Sequence, residues 1–125
     1  MPYAVDVESY TDYLFFRWAG PATYVDVVDA WKRVAEQCKS QGIWKALVET
    51  KYETYLSTME IFDIASSYQD LGFDSRFKVA HVFLGNEPED LRRFGEDVAA
   101  NRGADVKVFS DIKRAKAWLL EREGI

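Results

Sequence analysis

A chain of 125 residues that is 48% apolar and 30% charged reads as one ordinary globular domain, residues 1–125, large enough for its own core. Its 16 basic against 21 acidic residues leave a net charge of -5, which argues against nucleic-acid binding. No run approaches the roughly 20 apolar residues of a membrane span.

The beginning of the chain, MPYAVDVESY, has no basic n-region and no long apolar h-region, so no secretory signal is expected. One cysteine, Cys38, excludes an internal disulfide and fits a reducing, cytoplasmic setting. The densest basic cluster, Lys113 to Lys116, shares its helix with Glu121 and Glu123 and reads as a solvated face.

Tyr3 to Glu8 alternates apolar and polar residues, the pattern of a half-exposed edge strand. Tyr13 to Trp18 is apolar on both faces and reads as an interior strand that closes a hairpin with the first. Gly20-Pro21 breaks it. Thr23, with Asp26 three residues on, then predicts a helix start. Val27, Val28, Trp31, Val34, Ala35 and Cys38 recur at helical spacing, and Gly42 is the expected stop.

Trp44 to Glu49 reads as a buried strand, followed by a short loop with Tyr52 and Tyr55. Ser57-x-x-Glu60 is a capping box. It opens a helix whose stripe is Ile61, Ile64, Ala65 and Tyr68, with Gly72 as the stop. Phe77 to Leu84 is the longest nearly apolar strand and is expected to be central. Gly85 closes it, and Asn86, Pro88 and Glu89 predict another helix start. Leu91, Phe94, Val98 and Ala99 form that helix's stripe, and Gly103 ends it. Val106 and Val108 alternate with polar neighbours, as at a second edge. Ser110 or Asp111 caps a last helix that buries Ile112, Ala115, Trp118 and Leu119.

The order β-β-α-β-α-β-α-β-α predicts an α/β fold. A β-hairpin is followed by βα units, giving a five-stranded, mostly parallel sheet with four helices. The expected strand order is 1-2-3-4-5, with strand one antiparallel. Crossovers all running one way place the helices on one sheet face. The other face is then expected to carry Phe15 and Arg17, or His81 and Phe83, and to need a cover. A homodimer is the expected cover.

This element order is similar to the sporulation anti-anti-sigma factor, or STAS, fold. The run Val106-Lys107-Val108-Phe109-Ser110-Asp111, followed by Ala115-x-x-Trp118-Leu119, resembles the end of small bacterial SpoIIAA-like proteins. The resemblance implies a regulatory domain that acts through protein partners, on a fold shared with CRAL-TRIO lipid-binding domains. In anti-anti-sigma factors, a serine within Asp-Ser-Ser-Gly opens the helix after the third strand and is phosphorylated. The matching stretch here is Leu56-Ser57-Thr58-Met59, without the aspartate or the glycine. Ser57 is accounted for as a cap, with Glu60 supplying the negative charge of that helix start.

The binding residues expected from position are those at the strand exits: Glu49, Tyr52, Tyr55, Ser57, Thr58 and Asn86. The rim is acidic, with Glu53, Glu60, Glu87, Glu89 and Asp111 nearby, so a neutral or cationic molecule or a protein surface is preferred to a phosphate. His81 reads as a core or interface histidine, and Cys38 as a buried small hydrophobe. Phosphate loops, HExxH, paired CxxC and a nucleophile elbow are absent from the sequence. The expectation is therefore a non-enzymatic domain that needs no cofactor or metal and works by protein–protein interaction. The alternative is a small-molecule or lipid-binding module, with a small apolar ligand between sheet and helices near Trp31, Phe62 and Trp118. An enzyme using the rim ranks third.

Overall fold

The structure is a computed structural model that describes residues 4–20, 23–52, 56–84 and 89–121. Nine elements follow one another: β1 (Ala4–Ser9), β2 (Leu14–Gly20), α1 (Tyr24–Gln41), β3 (Lys45–Tyr52), α2 (Thr58–Ser66), β4 (Lys78–Phe83), α3 (Glu89–Ala100), β5 (Val106–Phe109) and α4 (Ile112–Leu119). The strands form one sheet in the order β1-β2-β3-β4-β5. β1 is antiparallel to β2, and every other pair is parallel. β1 and β5 are the edges, as their alternation predicts. β4 is interior, but β3 holds the middle of the sheet.

Local chemistry accounts for the element boundaries. Thr23 Oγ1 accepts from the Asp26 N–H at 3.2 Å, and Asp26 Oδ2 accepts from the Thr23 N–H at 3.0 Å. This capping box satisfies donors that the first turn of α1 leaves open. Gly42 ends α1 in the left-handed region, at φ 67°. Asp111, rather than Ser110, caps α4, accepting from the Lys113 N–H at 2.8 Å. The predicted caps at Gly85, Asn86 and Pro88 lie outside the described residues.

α2 is shorter than its apolar stripe predicts. It stops at Ser66, and Tyr68 belongs to a run of turns over residues 67–72. The Ser67 N–H returns to Asp63 and Ile64, and the Phe73 N–H returns to Tyr68, so the chain tightens before Gly72. At Gly72 φ is 110°, and a Cβ there would stand 3.1 Å from Ala35 Cβ of α1. A side chain is therefore excluded both by backbone conformation and by contact.

Helices α1, α2 and α3 lie on one face, over Leu14, Phe16, Trp18, Ala46, Val48, Val79 and Phe83. Each crosses between neighbouring parallel strands in the same direction, so right-handedness puts all three together. α4 lies on the opposite face, where Ala115 and Leu119 pack on Leu47, Ala80 and Val82. No crossover constrains it, because no strand follows it in the sheet.

That arrangement corrects one expectation. Phe15 and Arg17 do face away from α1–α3, but His81 and Phe83 face toward them. The register pairs Val48 with His81, which puts His81 on the side of Val48 and Phe16. The face expected to be open is covered in part, and carries Phe15 beside charged residues. α4 fills it over β3 to β5. Over β1 and β2 it carries Asp6, Glu8 and Arg17, and Arg17 Nε meets Glu49 Oε1 of β3 at 3.3 Å.

An aromatic-lined cavity as the candidate functional site

Of the residues expected at the strand exits, those that are described do not converge. Glu49 lies on the α4 side of β3, engaged by Arg17. Ser57 and Thr58 stand at the start of α2. Ser57 Oγ accepts from the Glu60 N–H at 3.1 Å, and Glu60 Oε1 accepts from the Ser57 N–H at 2.9 Å. Tyr52 ends the β3 backbone opposite Gly20, but its side chain lies outside the described residues. Tyr55 and Asn86 lie outside them as well.

The structure instead brings together a different set. An apolar cavity of about 160 Å3 lies between the sheet and the three helices. Its floor is Val79, His81 and Phe83 of β4 with Val106 and Val108 of β5. Its walls are Val27 and Trp31 of α1, Ile61, Ile64 and Ala65 of α2, and Gly95, Glu96 and Ala99 of α3. Tyr68, Phe73 and Phe77 close the end formed by the turns after α2.

The hollow follows from how α2 is held. α1 buries Val27, Ala30, Val34, Ala35 and Cys38 completely, whereas α2 has no fully buried residue. α2 leans on α3 rather than on the strands. Gly95 makes that approach close, since a Cβ at this position would lie 3.1 Å from Ile61 Cγ2. Glycine inside a helix costs about 1 kcal/mol relative to alanine, so its presence here reflects the contact. Ile61 and Ile64 remain half-buried, one layer above the sheet.

The aromatic walls brace one another. Trp31 meets Trp18 edge-on at 5.3 Å, His81 at 5.2 Å and Phe73 at 6.1 Å between ring centroids. Phe73 in turn meets Phe77 at 4.9 Å. Edge-to-face rings have few rotamers and hold their positions. Of the aromatics expected at such a cavity, Trp31 is there. Phe62 is on the outer side of α2, stacked with Phe94, and Trp118 is on the α4 face beside Phe109. Periodicity puts Trp118 on a helix stripe but does not say which sheet face that stripe meets.

Few polar groups reach the cavity. His81 Nε2 lies 2.9 Å from Thr50 Oγ1, a wholly buried hydroxyl on β3. The pair is set by strand register, and Thr50, flanked by Glu49 and Lys51, gives no sign of it in the sequence. Glu96 Oε2 accepts from the Val108 N–H at 3.2 Å, engaging a donor of the edge strand. Tyr68 donates to the Gly103 carbonyl at 3.4 Å, and burial raises its hydroxyl above the usual tyrosine range.

A larger depression of about 580 Å3 runs past β5 between α3 and α4. It mixes Arg93, Lys107 and Arg114 with Glu96, Asp97 and Asp111, so its charges offset one another.

Among solved structures, the chain is similar to an uncharacterised protein of the DUF3478 family with a SpoIIAA-like fold, from Shewanella loihica PV-4. The TM-score is 0.53 at 22% identity, over 94% of this chain and 93% of that one. The fold is SpoIIAA-like. No sequence-family profile and no curated protein matches the chain. At this identity the likeness extends to architecture alone.

Within the SpoIIAA-like frame, the start of α2 is where the resemblance places a regulatory serine. Here both arms of a capping box occupy it. Cys38 lies wholly buried on α1, and burial pushes its thiol up to about 12, so it is a packing residue and not a nucleophile. Among the described residues there is no cluster of three metal-ligating side chains. No described helix is long and apolar enough to cross a membrane.

Proposed function

We propose that this domain binds a small apolar molecule in the cavity between β4–β5 and helices α1–α3. The observation that carries the reading is the cavity itself. The space is only half enclosed, so leaving it unfilled costs less than the roughly 4 kcal/mol that about 24 cal/mol per Å3 gives for a closed cavity of 160 Å3. On the other side of the same sheet, Ala115, Leu119, Leu47, Ala80 and Val82 pack tightly around α4. An occupant that fills the space offsets the cost and raises stability in proportion to its affinity.

The test is to purify the protein under native conditions, extract it with organic solvent and identify released small molecules by mass spectrometry. The expected result is a stoichiometric apolar compound whose removal lowers the thermal midpoint and whose return restores it. If nothing is released, and benzene at saturation leaves the methyl resonances of Ile61 and Ile64 in place, the reading fails.

A protein-contact reading has its own observation. α2 exposes Met59 at 74% and Phe62 at 38%, and Val25 of α1 is exposed at 70%. The Tyr24 hydroxyl donates to the Asp63 carboxylate, tying the first turn of α1 to α2. The wall of the cavity would then also be the surface a partner meets. Pull-down with wild type and Met59→Ser,Phe62→Ser tests it, and equal recovery of every captured protein would rule that surface out.

A further inference from the structure

From the size and chemistry of the cavity, and resting on the binding reading above, we infer that the occupant is a neutral single-ring molecule bearing one N–H or O–H donor, and not an acyl chain. Size comes first. A cavity of about 160 Å3 is half the roughly 300 Å3 at which drug-sized sites begin, and a cavity of about 150 Å3 lined by Leu, Ile and Phe takes up benzene. A single ring matches that volume, and most of a long acyl chain would have to project through the open side. Shape follows. Trp31 and Phe73, themselves in edge-to-face contact, line the space, so a ring finds partners for its own edges and faces. The rings form one side of the lining, and Leu56, Ile61, Ile64 and Leu71 form the more adaptable remainder.

Polarity comes from Glu96. Glu96 is one of the few polar residues of the lining, and its carboxylate accepts from the Val108 N–H through one oxygen. An ionised carboxylate accepts hydrogen bonds and donates none. It favours a donor on the ring and repels an anionic one. A phenol-like or aniline-like molecule satisfies all three conditions.

The experiment is a titration of the whole chain with benzene, phenol, benzoate and decanoate, following the methyl resonances of Ile61, Ile64 and Ala65 by NMR. Saturable shifts are expected with benzene and phenol, with phenol about tenfold tighter, the scale of one hydrogen bond to a charged acceptor. Benzoate and decanoate are expected to leave the resonances in place. Glu96→Gln, which keeps an acceptor for the Val108 N–H, is expected to shrink the phenol preference. Ala65→Leu, which places a larger side chain at the cavity wall, is expected to weaken benzene and phenol by at least about tenfold. Should that variant not fold, Ala99→Val serves the same purpose. Binding of decanoate in preference to the rings would overturn the single-ring inference and leave the binding reading standing. Benzoate binding as well as phenol would overturn the donor assignment. Silence from all four probes would overturn both.

Discussion

The two faces of this sheet each carry an apolar core, packed to different ends. On one, the single helix α4 sets Ala115 and Leu119 onto Leu47, Ala80 and Val82, and all five are fully buried. Ala80 is small enough to let the helix come close, and Leu119 is flexible enough to fill what remains. On the other, three helices and many more aromatic residues leave a cavity of about 160 Å3. More apolar mass does not give a denser core when the mass is in rigid rings that prop one another edge to face. The short helix that closes that side leans on its neighbour α3 and stays off the strands. The tight face therefore stabilises the domain, and the hollow one is where the structure leaves room for something else.

The sharpest way to test that contrast is truncation on both faces. Leu119→Ala on the tight face is expected to cost about 3 kcal/mol in urea unfolding, the usual range for a buried leucine. Ile64→Ala on the hollow face removes a half-buried side chain that already borders empty space, and about 1 kcal/mol is expected. Equal costs would mean that the two faces are equally well packed. Next in size is the opposite change. Ala65→Leu, by occupying unfilled space, is expected to stabilise the protein without ligand by about 1 kcal/mol while weakening ring binding. A loss of stability would show that the wall has no room to give.

Ser57→Ala removes one arm of the capping box of α2 and is expected to cost about 1 kcal/mol, seen as a lower urea midpoint. If α2 is only a cover, most of that cost falls on local opening, measurable as faster amide exchange in residues 58–66 than in α1.

The smallest effect concerns the turn that leads into β4. The Arg76 guanidinium, bound side-on to Asp74, together with the Arg76 N–H, holds the Asp74 carboxyl well below its ordinary 3.8, at about 2. A carboxylate whose value is depressed on folding stabilises the fold above the unfolded value. That contribution is lost as pH falls through the folded one, so the window is about pH 4 down to about 2. Both groups are exposed, so the effect is small. Asp74→Asn is expected to flatten the acid limb of a midpoint-against-pH profile within that window and to change nothing at pH 7 beyond the loss of the pair.

What was legible in the chain were features set within a few residues. The capping boxes at Thr23–Asp26 and Ser57–Glu60, the stop at Gly42 and the alternation in β1 and β5 are local, and all nine elements follow from such signals. The strand order followed too, because connections of helix length between similar strands allow few topologies. The sidedness of individual residues was less accessible. His81 turned out to face α1 because register, a long-range quantity, pairs it with Val48. α4 turned out to cover the second face because a terminal helix is under no handedness rule. The stop of α2 at Ser66 was hidden because Tyr68 continues the apolar spacing beyond the point where hydrogen bonding turns.

The cavity itself has no sequence signature. Its volume is a difference between how far α2 stands off and how far Ile61 and Ile64 reach, and neither is a property of a short segment. Even so, one of its anchors was in view, since Trp31 was expected at an apolar site between sheet and helices. The rim residues share a place at strand exits, and the chain separates those of them that are described. Glu49 goes to the opposite face with Arg17, while Ser57 and Thr58 stay with α2.

Cys38, described above as a packing residue, also makes this protein its own clock. Its thiol is buried among core residues of α1 and the sheet. A thiol reagent at neutral pH reaches it at the rate at which α1 lifts, while any swing of α2 over the cavity passes unrecorded. The lone cysteine thus separates breathing of the cover from opening of the fold in one labelling trace, with no reporter added. A ligand that slows labelling does so by holding the whole domain shut, and one that quiets only the methyls of α2 is holding the cover alone.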